Sequence, residues 1–328
     1  MPEVLLVLGT STGGVGRHVQ SLAAGLVAAG WQVTVAGPAS TFAFPAHAEV
    51  EIGARPHPGR DARAVRRLRV LAARADVVHA HGLRAGALAV LTSAPVVVTL
   101  HNAVAGPVAA ALERLVARRA RVVLAASADL ADRARALGAT DVRLAPVAAP
   151  PLVATGRDPG LGHPLVLAVG RLHPQKGYDT LIAALPLLGD AVVAVAGDGP
   201  LAAELAAAAP QIRWLGARDD VADLLAAADV VVLPSVWEAR SLTAQETLRA
   251  GRPLVASAVG GIPDLVGDGA VLVPAGDPVA LGSAVRRLLD DRAAARALGE
   301  RGRVVAAGFP TEQDTVDQVI ASYVGLLA

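Results

Sequence analysis

The sequence predicts an α/β protein built from two doubly wound, Rossmann-like domains facing across a cleft. Three observations predict it. The chain has 328 residues, and domains run to roughly 100–200 residues each. Each half alternates short β-branched runs with Ala/Leu-rich stretches of helical spacing, the pattern of strands joined by crossover helices. Composition also breaks near the middle, where Pro146, Pro150, Pro151, Gly156, Pro159, Gly160, Gly162 and Pro164 crowd one stretch, as in a linker. Charge divides at the same place. Residues 1–150 carry 16 Arg against 9 acids, a net of +7; residues 151–328 carry 14 Lys and Arg against 20 acids, a net of −6. This places the domains at 1–150 and 151–310, with a C-terminal helix over 311–328 packing back on the first domain.

The strands of the first half are expected at VLLVLG (4–9), QVTVAG (32–37), DVVHAH (76–81), PVVVTLH (95–101) and RVVLAAS (121–127). Val15, Val19, Leu22 and Leu26 follow the first of these at helix spacing. In the second half the strands are expected at PLVLAVG (164–170), AVVAVAG (191–197), IRWLG (212–216), DVVVLP (229–234), PLVASA (253–258) and VLVPA (271–275). These runs are continuously apolar, as strands covered on both faces must be. The uncharged stretch Ala85–Leu112 is long enough to suggest a membrane helix. Pro95, His101, Gly106 and Pro107 interrupt it, so a buried strand with loops is expected.

Composition excludes several function classes. There is no cysteine, which removes disulfides, thiolate metal sites and cysteine nucleophiles and suits a reducing compartment. Net charge is +1 and aromatics are 2%, so neither a basic nucleic-acid footprint nor a base-stacking platform is expected. No basic segment precedes the apolar run Val4–Leu8, so a targeting segment is not expected and the cytoplasm is the expected compartment.

Ligands of doubly wound sheets bind beyond the carboxyl ends of strands. Four segments at such ends carry chemistry. Gly9–Val19, G-T-S-T-G-G-V-G-R-H-V, follows the first strand and opens a helix. Its small residues let a ligand approach the backbone, and a helix N-terminus favours anions. It matches neither the dinucleotide fingerprint nor a Walker A loop; an ordinary tight turn is the alternative. Lys176 is the only lysine among 30 basic residues. It sits in G-R-L-H-P-Q-K-G, where Arg171 and Lys176 suit one phosphate between a forked guanidinium and a compact ammonium. Asn102, the only asparagine, follows His101 at another strand end. Glu238 and Glu246 bracket W-E-A-R-S-L-T-A-Q-E. A uniform helix of ~100° per residue would set them about 80° apart. The expected arrangement instead puts Glu238 in a loop and Glu246 one turn into a helix beginning near Leu242. Two carboxylates there suit the hydroxyls of a polyol.

Taken in order along nearly the whole chain, GGVGRHV, DVVHAH, GRLHPQKG, VAGDGP (195–200), the E-x7-E segment, GRPLVA and GGIPDLV resemble the retaining glycosyltransferases of family 4 (glycosyltransferase group 1), which have the GT-B fold. The resemblance implies a nucleotide-sugar donor, a UDP-sugar before a GDP-sugar, and no cofactor or metal. Arg171 and Lys176 would hold the diphosphate, with Gly14 offering a backbone amide and Gly170 opening the motif. Glu246 would accept bonds from the ribose. Glu238 and the backbone of Ser241, Leu242 and Thr243 would meet the transferred sugar, and the base would lie against Leu215–Arg218. His81 matches the family histidine beside the reacting carbon. On the acceptor side the resemblance implies Gly13, His101 and Asn102.

One place departs from the family pattern. Many members read E-x-F-G between the glutamates, where this chain has Arg240 and Ser241, and this bears on the identity of the donor sugar. No D-x-D segment is present, in keeping with metal-independent chemistry. Arg60, Arg63, Arg66, Arg67, Arg69 and Arg74 cluster with Val65, Leu68 and Leu71. That stretch suits peripheral contact with an anionic bilayer at the inner face of the membrane, or an acidic acceptor; a solvated face is the plain alternative. Two further functions share the expectations: a nucleotide-sugar 2-epimerase of the same fold, and a non-catalytic nucleotide-sugar-binding protein.

Overall fold

A computed structural model describes residues 1–10, 13–39, 46–104 and 106–327. The chain divides into two compact units, Met1–Ala148 together with Pro310–Ala328, and Ala149–Phe309.

The first unit opens with β1 (Glu3–Leu8), α1 (Gly14–Ala28), β2 (Gln32–Gly37), β3 (His47–Glu49), α2 (Pro58–Ala72) and β4 (Val77–His81). It continues through α3 (Leu83–Ala89), β5 (Val96–Leu100), α4 (Pro107–Arg119), β6 (Val122–Ala125), α5 (Ala128–Ala136) and β7 (Val142–Leu144). Among the described residues the strands form one parallel sheet in the order β3-β2-β1-β4-β5-β6-β7. The order reverses between β1 and β4, which is the doubly wound arrangement.

The second unit comprises β8 (Leu165–Val169), α6 (Tyr178–Ala184), β9 (Val192–Ala196), α7 (Ala202–Ala208), β10 (Arg213–Trp214), α8 (Val221–Ala227) and β11 (Val230–Leu233). It ends with α9 (Leu242–Arg249), β12 (Leu254–Ser257), α10 (Ile262–Val266), β13 (Val271–Val273), α11 (Pro278–Asp290) and α12 (Arg292–Ala307). Its sheet is again parallel, in the order β10-β9-β8-β11-β12-β13, and reverses between β8 and β11.

The apolar runs form strands because both faces are covered, and side chains alternate between them. Val4, Leu6 and Leu8 of β1 enter one core, while Leu5 and Val7 enter the other. Leu165 and Leu167 of β8 part from Val166 and Ala168 in the same way. The last helix, α13 (Glu312–Leu327), belongs to the first unit. Its Val316, Val319 and Tyr323 join Val19, Leu22 and Leu26 of α1 in one core. Gly25 permits that approach, since a Cβ there would lie 2.4 Å from Val316 Cγ2. Ser21 also donates to the Glu312 carboxylate.

All eleven expected strands form. β3 and β7 were not expected, because three residues at a sheet edge carry too little periodicity to read. The 85–112 stretch is more helical than expected: it holds most of α3 and the start of α4 on either side of β5. Pro107 opens α4 at its first position, where a missing N–H costs nothing. Among the described residues no helix is long and apolar enough to cross a membrane.

Candidate functional site

The second unit gathers its polar groups on the loops that leave the carboxyl ends of its strands. Gly170–Gly177 follows β8 and contains a short turn of 3₁₀ helix over Pro174–Lys176. Gly177 ends that turn at φ 60°, and a Cβ there would sit 2.1 Å from the Pro234 carbonyl. Only glycine lets the loop after β8 lie against the loop after β11. Gly197, just after β9, plays the same part, since a Cβ there would meet the Gly170 carbonyl at 1.9 Å. Backbone bonds join the loops into one rim: Leu172 donates to Asp198, Gly197 to Gly216, Val236 to Gln175 and Gly261 to Glu238.

On this rim Lys176 Nζ lies 2.5 Å from Glu238 Oε1. Ser235 Oγ donates to the same oxygen at 2.7 Å. Glu238 is 6% exposed and Ser235 fully buried, so the carboxylate is held by two donors before any ligand arrives. Gln175 fixes the loop from below, donating to the Trp237 carbonyl at 2.9 Å. Arg171 leaves the end of β8 exposed and makes no hydrogen bond or ion pair among the described residues. Tyr178 donates to the Gly170 carbonyl at 3.0 Å, and burial, followed by the nearby Glu238 charge, raises its phenol.

Glu238 does stand in a loop and Glu246 does stand on α9, where it is 8% exposed. Ser241 caps α9, its hydroxyl accepting from Ala244 N at 3.2 Å. That hydroxyl is thus engaged by the helix, and the neighbouring backbone at Leu242 and Thr243 begins its first turn. Thr243 Oγ1 donates to the Val169 carbonyl, tying the start of α9 to the end of β8. Leu215 is half-buried and packs against the core of the second unit, and the next residue, Gly216, accepts from Gly197 at the rim. Arg218 is paired with Asp220, Nε to Oδ1 at 2.7 Å; this bond raises the guanidinium.

The first unit concentrates histidines instead. Val77, His79 and His81 share one face of β4 at i, i+2 and i+4, and Val97 and Thr99 share the same face of β5, with His101 just beyond. This is the face covered by α1 and α13, and His18 of α1 reaches it. His81 Nδ1 lies 3.2 Å from His101 Nε2. His18 meets both rings edge-on, with centroids 5.4 Å apart. His79 packs on His81 at 4.2 Å and spends both nitrogens elsewhere, on Tyr323 OH at 2.6 Å and Thr99 Oγ1 at 2.7 Å. His81 Nε2 is buried with no hydrogen-bond partner among the described residues.

Burial decides the charge of this cluster. It pushes His18 down to about 4 and His79 down to about 3, the latter also lowered by His18. Burial first, then the neighbouring imidazoles, hold His81 and His101 well below the ordinary range. All four rings are neutral near pH 7. Asn102 is exposed beside them. Gly13 precedes α1 and Gly14 begins it; Ser11 and Thr12 of the expected glycine-rich loop lie outside the described residues.

Several members of these sites were not singled out from the sequence. Gln175, His18 and His79 lay inside segments quoted for other residues. The H-x-H spacing, which puts both rings on one face of a strand, was the readable signal for His79. Ser235 gave none, since a serine after a strand is usually a turn residue.

Comparison with known proteins bears on both units. Residues 163–291 match the family described as "Glycosyl transferases group 1", and residues 12–148 match "Glycosyltransferase Family 4". A glycogen synthase of Mycobacterium tuberculosis is 33% identical, covering 90% of this chain and 87% of the relative. A 2-deoxystreptamine N-acetyl-D-glucosaminyltransferase of Streptomyces fradiae is 32% identical, covering 76% of this chain and 71% of the relative. Among solved structures, sucrose-phosphate synthase of Thermosynechococcus elongatus has a TM-score of 0.82 at 22% identity, covering 99% of each chain. Anabaena HepE in complex with UDP-glucose has a TM-score of 0.81 at 21% identity, covering 98% of this chain and 99% of the other.

Proposed function

We propose a reaction for this chain from one premise: it belongs to the family 4 (group 1) glycosyltransferases, has the GT-B fold and is a glycosyltransferase. The reaction moves a sugar from a nucleoside diphosphate sugar to a hydroxyl acceptor, with retention at the anomeric carbon and without a metal. A UDP-sugar is the favoured donor, in keeping with the UDP and UDP-glucose bound by HepE.

The observation that carries this reading is the Lys176–Glu238 pair at the rim of the second unit, with Arg171 exposed beyond the same strand β8. Cleavage breaks the bond between the anomeric carbon and the phosphate oxygen, and the electron pair leaves with the diphosphate. Lys176 and Arg171 meet that growing negative charge, and preorganised cations act most strongly where charge develops. Glu238, already held by Lys176 and Ser235, offers its remaining lone pairs to hydroxyls of the transferred sugar. Glu246 accepts from the ribose, and the backbone at Leu215 to Arg218 lies against the base. The acceptor oxygen bonds to the anomeric carbon on the face the phosphate leaves, and its proton passes to a departing phosphate oxygen. By resemblance Gly14 gives a backbone amide to the diphosphate and His81, neutral and joined to His101, a hydrogen bond to the sugar. Gly13, His101 and Asn102 are assigned to the acceptor.

The six arginines from Arg60 to Arg74 are all exposed, while Ala64, Leu68 and Ala72 face inward. Glu49 and Glu51 line a cavity of about 380 Å³ with Arg60, Arg63 and Arg67 and offset part of that charge. We assign this face to anionic surfaces, tested by sedimentation with anionic vesicles at low salt; absence of binding removes the assignment.

The reaction is tested by a thermal-shift panel of UDP-, GDP- and ADP-sugars, followed by assays of donor hydrolysis and transfer. One nucleotide sugar is expected to raise the melting temperature and to be turned over. Binding without turnover across varied acceptors would instead make the protein a binding module.

A further inference from the structure

We infer that His18, His81 and His101 form a binding site for one first-row divalent transition cation, with Zn²⁺ the best fit. The inference does not rest on the glycosyl-transfer reading but shares two residues with it: a cation held by His81 Nδ1 and His101 Nε2 leaves His81 Nε2, which has no partner among the described residues, for the sugar. One ligand nitrogen from each of the three rings lies within 4.8 Å of the other two. The His81 Nδ1 to His101 Nε2 separation is 3.2 Å. Two nitrogens on a tetrahedral Zn²⁺, each about 2.0–2.1 Å from the ion, stand about 3.3 Å apart. One edge of a coordination tetrahedron is therefore already formed, and His18 needs a small approach to supply the third corner.

The chemistry of the cluster agrees. Three neutral imidazoles carry three lone pairs, and the single bond between His81 and His101 uses one of them. A divalent cation is the partner that accepts all three. Each imidazole ligates through its unprotonated ring nitrogen. An all-imidazole set selects Zn²⁺, Ni²⁺ or Cu²⁺ over Mg²⁺ or Ca²⁺, which favour oxygen ligands. His79 is excluded as a ligand because Tyr323 and Thr99 occupy both its nitrogens; it packs behind His81 and fixes the ring plane. Three protein ligands leave a fourth tetrahedral position for water. His18 and His101, 8% and 7% exposed, are the least enclosed of the three.

Metal-stripped protein is titrated with Zn²⁺, and separately with Mg²⁺, by calorimetry at pH 7. The zinc-loaded protein is then examined by X-ray absorption. One equivalent of Zn²⁺ is expected to bind at micromolar or lower concentration, with no binding of Mg²⁺ under the same conditions. The absorption spectrum is expected to show three imidazole nitrogens at about 2.0 Å. His18→Gln and His101→Gln are each expected to weaken binding at least ~10-fold, the lower end of what loss of a site member costs. His57→Ala, at an exposed histidine of the same unit, is expected to bind as the parent does. The site is overturned if no stoichiometric Zn²⁺ binds, if fewer than three imidazoles surround the zinc, or if both glutamine variants bind like the parent. The spectrum of the unaltered protein decides the matter even where a variant fails to fold.

Discussion

The two sheets share a strand order yet carry opposite chemistries at their carboxyl ends. In the first unit the polar residues point into the layer covered by α1 and α13. They are imidazoles stripped of water, neutral, and bonded to one another or to hydroxyls. In the second unit they stand on loops and are ionised partners, Lys176 with Glu238, or an exposed cation, Arg171. The same topology thus supports two electrostatic regimes. A buried neutral group can orient and hydrogen-bond a polar substrate. The charged rim is the part suited to the proposed stabilisation of a leaving diphosphate, because charge that develops in a reaction is met most strongly by charge already in place.

The largest expected effect tests the charged rim. Lys176→Ala is expected to lower turnover ~100–1000-fold while leaving the first unit intact, as loss of one strong charge stabiliser does. Initial rates with the nucleotide sugar identified by thermal shift measure it. Near-normal turnover would mean that the second unit does not differ from the first in the way proposed.

Next in size is a pH effect confined to the first unit. His18 and His79 fall from 6.5 to about 4 and about 3 on folding. Between those values and 6.5 the unfolded chain binds protons that the native chain refuses, so stability falls as pH falls. Their contribution is whole above 6.5. One pH unit below 6.5 each has lost about 1.4 kcal/mol, roughly 3 kcal/mol for the two; His81 and His101 act in the same direction. Urea unfolding at pH 7.5 and pH 5.5 measures this. Equal stability at the two values would show that the rings are protonated in the native state.

Tyr323→Phe comes third. Tyr323 and His79 are both fully buried and 2.6 Å apart. Removing the hydroxyl leaves His79 Nδ1 without its partner, at a cost of about 1–3 kcal/mol for an unsatisfied buried group. The midpoint of urea unfolding should fall accordingly, with nucleotide affinity unchanged.

These contrasts were unevenly legible in the sequence. The sheets were readable because VLLVL, LVLAV and VVVL are continuous apolar runs that need cover on both faces. Lys176 stood out as the one lysine of an arginine-rich chain, and the eight-residue spacing of Glu238 and Glu246 placed one in a loop and one on a helix. The histidine cluster was only half visible. His81 and His101 were marked by their strand ends, but His18 lies some 60 residues away in sequence from β4, and nothing local joins it to them. Tyr323 was hidden for the same reason: a helix at the far end of the chain returns to cover the first sheet. Contacts fixed by tertiary return leave no periodic trace.

The smallest expected effect sharpens the contrast at a single carboxylate. Glu246 sits on α9, 8% exposed, in the unit whose polar groups are proposed to work by charge. Glu246→Gln keeps the side chain's shape and one acceptor oxygen and removes the charge. If Glu246 grips the ribose as proposed, its bonds are charge-assisted and worth roughly 1.5 kcal/mol more than neutral ones, so UDP should bind about 10-fold more weakly. Turnover at saturating donor should change little, because a bond made equally in ground and transition states alters affinity rather than rate. Calorimetric UDP affinity and the kcat against KM split read the two quantities separately. A fall in kcat with unchanged UDP affinity would place Glu246 at the transferred sugar instead of the ribose.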